Sequence, residues 1–396
     1  MLSLQALSQA AALLPPAARH PLLRAGHFTV AATLPRLRVE WMTGQLQRSG
    51  KPARLLVAGE GAWGTYLPER LLRPGFEVAP LAHVRAPALR GLLARNAAAA
   101  DLVCVRLDKG WARLVLGPDY LEIPEWVGAF IQLPKNLEGY LRANESRHSD
   151  VRRIRREGYT FEVSHAHPDL DTLHREFHAP FIQRRFGAHA HVAQVWLWHR
   201  LLSHGGVLWV RHQDRRVAGL LYTQEGDGLR LFATGCAEDA DARAGFAGLY
   251  VFMCMHAHAL GYRTINLGGC RPTLRDGVFR YKRKWGACFV PKPDQYFDFY
   301  LAWNRPNPAL HELLIHTPLA VRHGDSLAWI AEPPADNGSP AALARQLRTR
   351  GIARTAIVSQ PDHEELPTDV VLIPPLAVHS SRALVRGLAT SRGGPA

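Results

Sequence analysis

The segment Asp276-Gly-Val-Phe-Arg-Tyr-Lys-Arg-Lys-Trp-Gly286 sets four cations among aromatic rings, and its spacing turns one of them inward. On a helix advancing about 100° per residue, Val278, Tyr281 and Trp285 fall within roughly 60° of one another, a core-facing stripe. Lys282 lies about 40° from Val278, inside that stripe, while Arg280, Arg283 and Lys284 point to the water side. An ammonium held against rings keeps its charge where something anionic, or something that becomes anionic in a reaction, lies nearby. Stabilising charge on a carbonyl oxygen, or gripping a phosphate, is chemistry that such a lysine can do. The same spacing also fits a lysine whose stem covers Trp285 and whose head reaches solvent.

Other constellations are looser. Ser149, Arg152, Arg153 and Arg156 share one helix face, a stripe able to clamp phosphates and equally able to be a solvated basic face. Arg243-Ala-Gly-Phe-Ala-Gly248 opens a helix after a strand, so Arg243, Gly245 and Gly248 are candidates for holding a pyrophosphate. The acidic run at 238–241 opposes that, and the glycines also suit close helix–sheet packing. Three His-x-His pairs occur, at 165/167, 189/191 and 256/258, but without partner carboxylates or thiols at useful spacing. No metal site is expected from them. There is no Gly-x-Ser-x-Gly elbow and no Walker loop, which favours direct transfer over a covalent intermediate.

The elements that must position these residues follow from pattern. Residues 1–50 read as short helices broken by prolines, and 54–58 and 101–107 as strands around an alanine-rich helix at 89–100. A long helical stretch runs from Pro134 to Gly158, and helices follow at 169–186 and 195–204. Strands at 206–212, 216–224 and 229–235 are joined by short turns, giving an antiparallel meander. A helix at 245–260, a strand at 264–268, the lysine helix, and strands near 288–290 and 296–303 complete the order β-β-β-α-β-α-β. The prediction is an α/β (α+β) chain with mixed, mainly antiparallel sheets flanked by helices. It is divided into an N-terminal α/β unit at 1–135, a transferase unit at 136–305, and a linker with a small α/β appendage at 306–396.

A helix ending in Ala-x-x-x-Gly-Tyr, a strand ending in Gly268-Gly269, then Asp276-Gly and Tyr281-Lys-x-x-Trp-Gly-Ala287 resembles the C-terminal half of FemA/FemB/FemX-like proteins. These form a branch of the GNAT acyltransferase superfamily, one that includes acetyltransferase-like domains of polysaccharide and cellulose biosynthesis clusters. The likeness runs over residues 100–303, and its upstream part, Tyr140-Leu-Arg-Ala-Asn-Glu-Ser-Arg147 to Gly158, is similar to the family's arginine-rich helix. The resemblance implies two tandem GNAT-like units, the first degenerate. It also implies transfer of an acyl or aminoacyl group from acyl-CoA or aminoacyl-tRNA to an amine of a cell-envelope, polysaccharide or specialised-metabolite acceptor. Lys282 would then stabilise the oxyanion with Tyr281 beside it, and Asp276 would take the amine proton. Arg152, Arg153, Arg156 and Trp285 would bind substrate, and Arg243, Gly245 and Gly248 the donor. A GNAT-like scaffold without activity, binding nucleic acid or an envelope partner, is the alternative.

Bulk properties agree with either. The chain has 396 residues, 47% hydrophobic and 21% charged, as a soluble multi-unit protein does. Its net charge of +14 favours phosphate-bearing partners: a nucleotide donor, tRNA or an anionic membrane surface. Five widely spaced cysteines without a C-x-x-C pair read as free thiols in a reducing compartment. The N-terminus lacks the cation-then-apolar order of a secretory signal, so a cytoplasmic protein, at most peripheral to a membrane, is expected.

Overall fold

The computed structural model of the chain describes residues 16–34, 36–59, 66–187, 192–238, 242–292, 295–334, 338–360, 366–375 and 380–390. His189 and His191, and the terminal residues 391–396, lie outside the described residues. The strands, in chain order, are β1 (Leu37–Gln45), β2 (Pro52–Gly59), β3 (Glu77–Val84), β4 (Leu102–Asp108), β5 (Leu121–Pro124) and β6 (Val127–Gln132). Next come β7 (Thr160–Ser164), β8 (Gly205–His212), β9 (Arg215–Glu225), β10 (Gly228–Cys236), β11 (Thr264–Cys270) and β12 (Cys288–Pro291). The last are β13 (Phe297–Ala302), β14 (Leu319–His323), β15 (Ser326–Ala331), β16 (Ile352–Val358) and β17 (Val370–Ile373). Mixed, mainly antiparallel sheets with flanking helices are the predicted class, and the chain has them.

Two compact units form, not three consecutive segments. Unit 1 comprises residues 1–127, 271–276 and 290–396; unit 2 comprises 128–270 and 277–289. The expected C-terminal appendage is part of unit 1 for a physical reason. β13 inserts between β4 and β5 in a six-stranded sheet ordered β3-β1-β2-β4-β13-β5. One core then mixes Leu55, Leu102 and Ile123 with Leu313, Ile330 and Val358. A second sheet of unit 1, β14-β15-β16-β17, is parallel from β15 onward. Residues 37–45, expected as part of a helical N-terminus, are instead the strand β1, held between β3 and β2.

Unit 2 is built on the sheet β12-β6-β11-β10-β9-β8-β7. The meander β8-β9-β10 falls within one or two residues of expectation, all antiparallel. Its first turn carries Gln213 at φ 53° and its second Gly226 at φ 60°, the positive angles that tight hairpins demand. The long helical stretch splits into Leu137–Arg142 and Glu145–Arg156, because Asn144 caps the second helix by accepting from the Arg147 N–H. The helix Ala242–Ala259 packs over β8, β9 and β10. All five cysteines are free thiols.

Candidate active site of unit 2

β10 runs beside β9 along its whole length, but it meets β11 in parallel only from Gly228↔Thr264 to Arg230↔Asn266. Beyond that the strands separate. A bulge lies in β10 between Leu231 and Ala233, and β11 leaves through Gly268 at φ 72°. The gap is closed by Leu231, Ile265, Leu267, Tyr250 and Met253 and is too narrow for water.

Lys282 secures the open end. Its helix, Gly277–Lys284, matches the predicted one to a residue at each end, and Lys282 is 4% exposed as the wheel requires. The ammonium donates to the Gly268 carbonyl at 3.1 Å and to the Gly269 carbonyl at 2.8 Å. Those carbonyls flank the positive-φ turn, so the cation fixes the shape of the strand end and brings its charge there. The snorkelling alternative does not hold, since the head is buried along with the stem.

Tyr281, one residue earlier, faces a different wall. Its ring packs edge-on against Phe246 and Tyr250, with centroids at 5.1 and 4.9 Å. Its hydroxyl is buried and forms no well-aligned hydrogen bond among the described residues, with the Trp285 indole N–H as a weak donor close by. Burial pushes this phenol well above its ordinary range, the nearby Trp285 indole lowers it somewhat, and Asp150 raises it again. The group is therefore a proton donor at neutral pH. A buried hydroxyl without a well-aligned partner costs about 1–3 kcal/mol, which marks a place where a ligand atom would be welcome. Around it stand Asp150 and Arg153 from the helix Glu145–Arg156, with Asp150 held by Lys284 at 2.5 Å. Arg185 lies over the rings of Phe181 and Phe246, at 5.8 and 6.0 Å, within electrostatic reach of Tyr250.

The remaining expected residues divide. Trp285 is 0% exposed and packs on Tyr250 with centroids 5.3 Å apart, so it has no surface for substrate and belongs to the core. Arg152 and Arg156 pair with Glu145 and Glu157 on the outer face, 61% and 76% exposed; only Arg153 turns inward. A Cβ on Gly245 would meet Val217 at 3.2 Å, and one on Gly248 would meet Val210 at 2.9 Å. Both glycines thus serve close helix–sheet packing rather than a phosphate loop. The side chain of Arg243 lies outside the described residues. Asp276 belongs to unit 1, where burial raises the Tyr66 phenol, Arg70 lowers it and the charge of Asp276 adds to the rise. Of the histidines, His256 bonds the Tyr222 hydroxyl and His258 the Lys135 carbonyl, and no cluster able to hold a metal occurs among the described residues.

Arg185, Lys284 and Asp150 were not found from the sequence. Lys284 was assigned to solvent, because a wheel describes one helix and not the neighbour that supplies Asp150. Asp150 sits three residues before Arg153, so the stripe carried a signal for it. The latch behind the site is legible only in part. Arg147, 3% exposed, donates to the Tyr140 carbonyl and stacks 4.0 Å above its ring, while the Tyr140 hydroxyl donates to the Trp285 carbonyl.

No family model matches the chain, and no curated protein does. Among solved structures it is similar to FemX, at 12% identity over 75% of this chain and 96% of that one, with a TM-score of 0.38. It is similar to L-PGS from Bacillus licheniformis at 14% identity over 68% of this chain and 86% of that one, TM-score 0.33. A tandem GNAT protein from the clavulanic acid biosynthesis pathway matches at 12% identity over 77% of this chain and 94% of that one, TM-score 0.29.

Proposed function

We propose that unit 2 is the catalytic unit of an N-acyltransferase that moves an acyl or aminoacyl group from acyl-CoA or aminoacyl-tRNA directly onto an amine. The observation that carries this is the opened β10/β11 pair with a cation fixing its end and an unspent phenol in the neighbouring wall. In such a transfer the amine nitrogen bonds to the carbonyl carbon, the C–S or C–O bond of the donor breaks, and the oxyanion between those events needs positive charge and proximity. Lys282 supplies charge through the turn it fixes. Tyr281 gives its proton to the leaving thiolate or ribose oxygen. The amine proton passes to a carboxylate, and Asp150 stands beside Tyr281 to take it. Arg153, Arg185 and Lys284 hold donor phosphates. The acceptor class, an amine of an envelope precursor, polysaccharide or specialised metabolite, is carried by the sequence resemblance alone.

An inactive scaffold that binds nucleic acid is the competing reading, favoured by the exposed Arg152 and Arg156 on a chain of net charge +14. Thermal shift with acetyl-CoA against deacylated tRNA separates the readings. Stabilisation by acetyl-CoA that is lost in Arg153→Ala supports the CoA donor, and a tRNA shift that fades with salt and in Arg153→Ala supports the aminoacyl route. A tRNA shift lost in Arg152→Ala/Arg156→Ala but kept in Arg153→Ala favours the scaffold. No shift with either ligand refutes the transferase.

A further inference from the structure

Unit 1 contains an open cavity of about 1920 Å³ that the proposed transfer does not use. Ligand sites for compact small molecules occupy roughly 300–1,000 Å³, so this one suits a longer ligand. One wall is apolar: Ala25 and Phe28 from the first helix, Val385 and Leu388 from the last. The floor is charged. Lys109, Glu122 and Arg322 line it, and Asp298, 0% exposed, lies beneath.

The floor is internally balanced but not saturated. Asp298 accepts from the Glu125 N–H at 3.1 Å and from Arg322 Nε at 2.7 Å. Glu122 takes the same Arg322 Nε at 2.6 Å. Arg322 Nη2 is buried and finds no hydrogen-bond partner among the described residues. Lys109 Nζ lies 3.6 Å from Asp298, beyond hydrogen-bond length. Lys109 and Arg322 thus share the cavity lining with the apolar residues, and Lys292 and Arg113 add positive charge to it. Arg322 is paired through Nε while its Nη2 is not, and Lys109 has no acceptor at hydrogen-bond length, so an anion reaching both would complete their pairing.

We propose that the unit 1 cavity binds an amphipathic anion, its carboxylate or phosphate group seated between Lys109 and Arg322 and its apolar chain along Phe28, Val385 and Leu388. A proton accompanies the ligand. Burial, a hydrogen bond to Asp298 and the charge of Asp298 together raise Glu122 to about 7, against Arg322 and Lys109, which lower it. Tyr300 and Asp108 stand in the same electrostatic neighbourhood, and the last helix adds Arg382, paired with Asp119. An anion drawn to Arg322 repels Glu122, which takes up a proton. Affinity then falls by about tenfold for each pH unit above 7.

Calorimetric titration of the full chain with decanoate, decyl phosphate and decanol tests this. At least one of the acids binds more tightly than decanol, with proton uptake of about one half at pH 7 that rises toward one as pH climbs; the better of the two identifies the acidic group. Lys109→Gln weakens the acid about tenfold or more and leaves decanol unchanged. Thr29→Trp, placed on the exposed lining away from the ion cluster, weakens all three. Acids that bind no better than decanol, or bind Lys109→Gln as well as the parent, overturn the proposal. Should Lys109→Gln lose its cooperative melting transition, Thr29→Trp decides: acid binding at the parent's affinity in that variant overturns the proposal equally.

Discussion

Replacing Lys282 with methionine keeps the stem and removes the ammonium. Two half-buried carbonyls, of Gly268 and Gly269, lose donors at 3.1 and 2.8 Å. Each stranded acceptor costs about 1–3 kcal/mol, and relief from burying a cation returns part of that sum. The net loss is about 2–4 kcal/mol of folding stability, read from the urea midpoint at unchanged m. Turnover falls too, because the open end of β11 is no longer fixed. The stabilities separate two roles. A lysine that only meets substrate would leave folding within about 0.5 kcal/mol of the parent; that result, obtained at wild-type m, would refute the claim that this ammonium braces the strand end.

Tyr281→Phe removes a buried hydroxyl that has no well-aligned partner, so stability holds or rises by up to about 1 kcal/mol while kcat falls about a hundredfold; unchanged kcat at saturating donor ends its role as acid. Gly286→Ala places a Cβ 3.2 Å from Arg147 Nη1 at φ 75°, which costs about 1–3 kcal/mol in a thermal melt. Glu122 holds its proton in the folded chain up to about pH 7 and releases it near 4.5 when unfolded, so its contribution is full below pH 4.5 and drains as pH climbs to 7. The swing is on the order of 1 kcal/mol once screening of this third-exposed group is counted, and Glu122→Gln flattens that limb of a stability–pH curve.

Local signals were readable and long-range ones were not. The meander β8-β9-β10 announces itself through alternation and turn residues, each fixed by neighbours a few positions away. β1 hid because both of its faces are covered: Val39, Glu40, Trp41 and Met42 are consecutively buried, and a strand without alternation looks like any apolar run. Lys282 was recoverable from helix geometry alone. The division between Arg153 and its outward neighbours was not, since it depends on which ring the adjoining helix presents. Gly245 and Gly248 fit two patterns at once, and only the nearness of Val217 and Val210 chooses between them. The choice of β13 as partner to β4 and β5 spans the whole of unit 2, a distance over which no periodicity carries information.

The threading of β13 bears on how the chain is made. As residues leave the ribosome, β4 and β5 emerge early, yet the strand that lies between them arrives only after residues 128–289. The nascent protein must carry an open seam in its first sheet through that interval, with β4 edge groups unmet and prone to mispairing. The inserted unit holds all but the last residues of its own strands before then and is free to consolidate first. Maturation would therefore run from the middle outward, and the seam closes only after the inserted unit is made, while β14 to β17 are still to come.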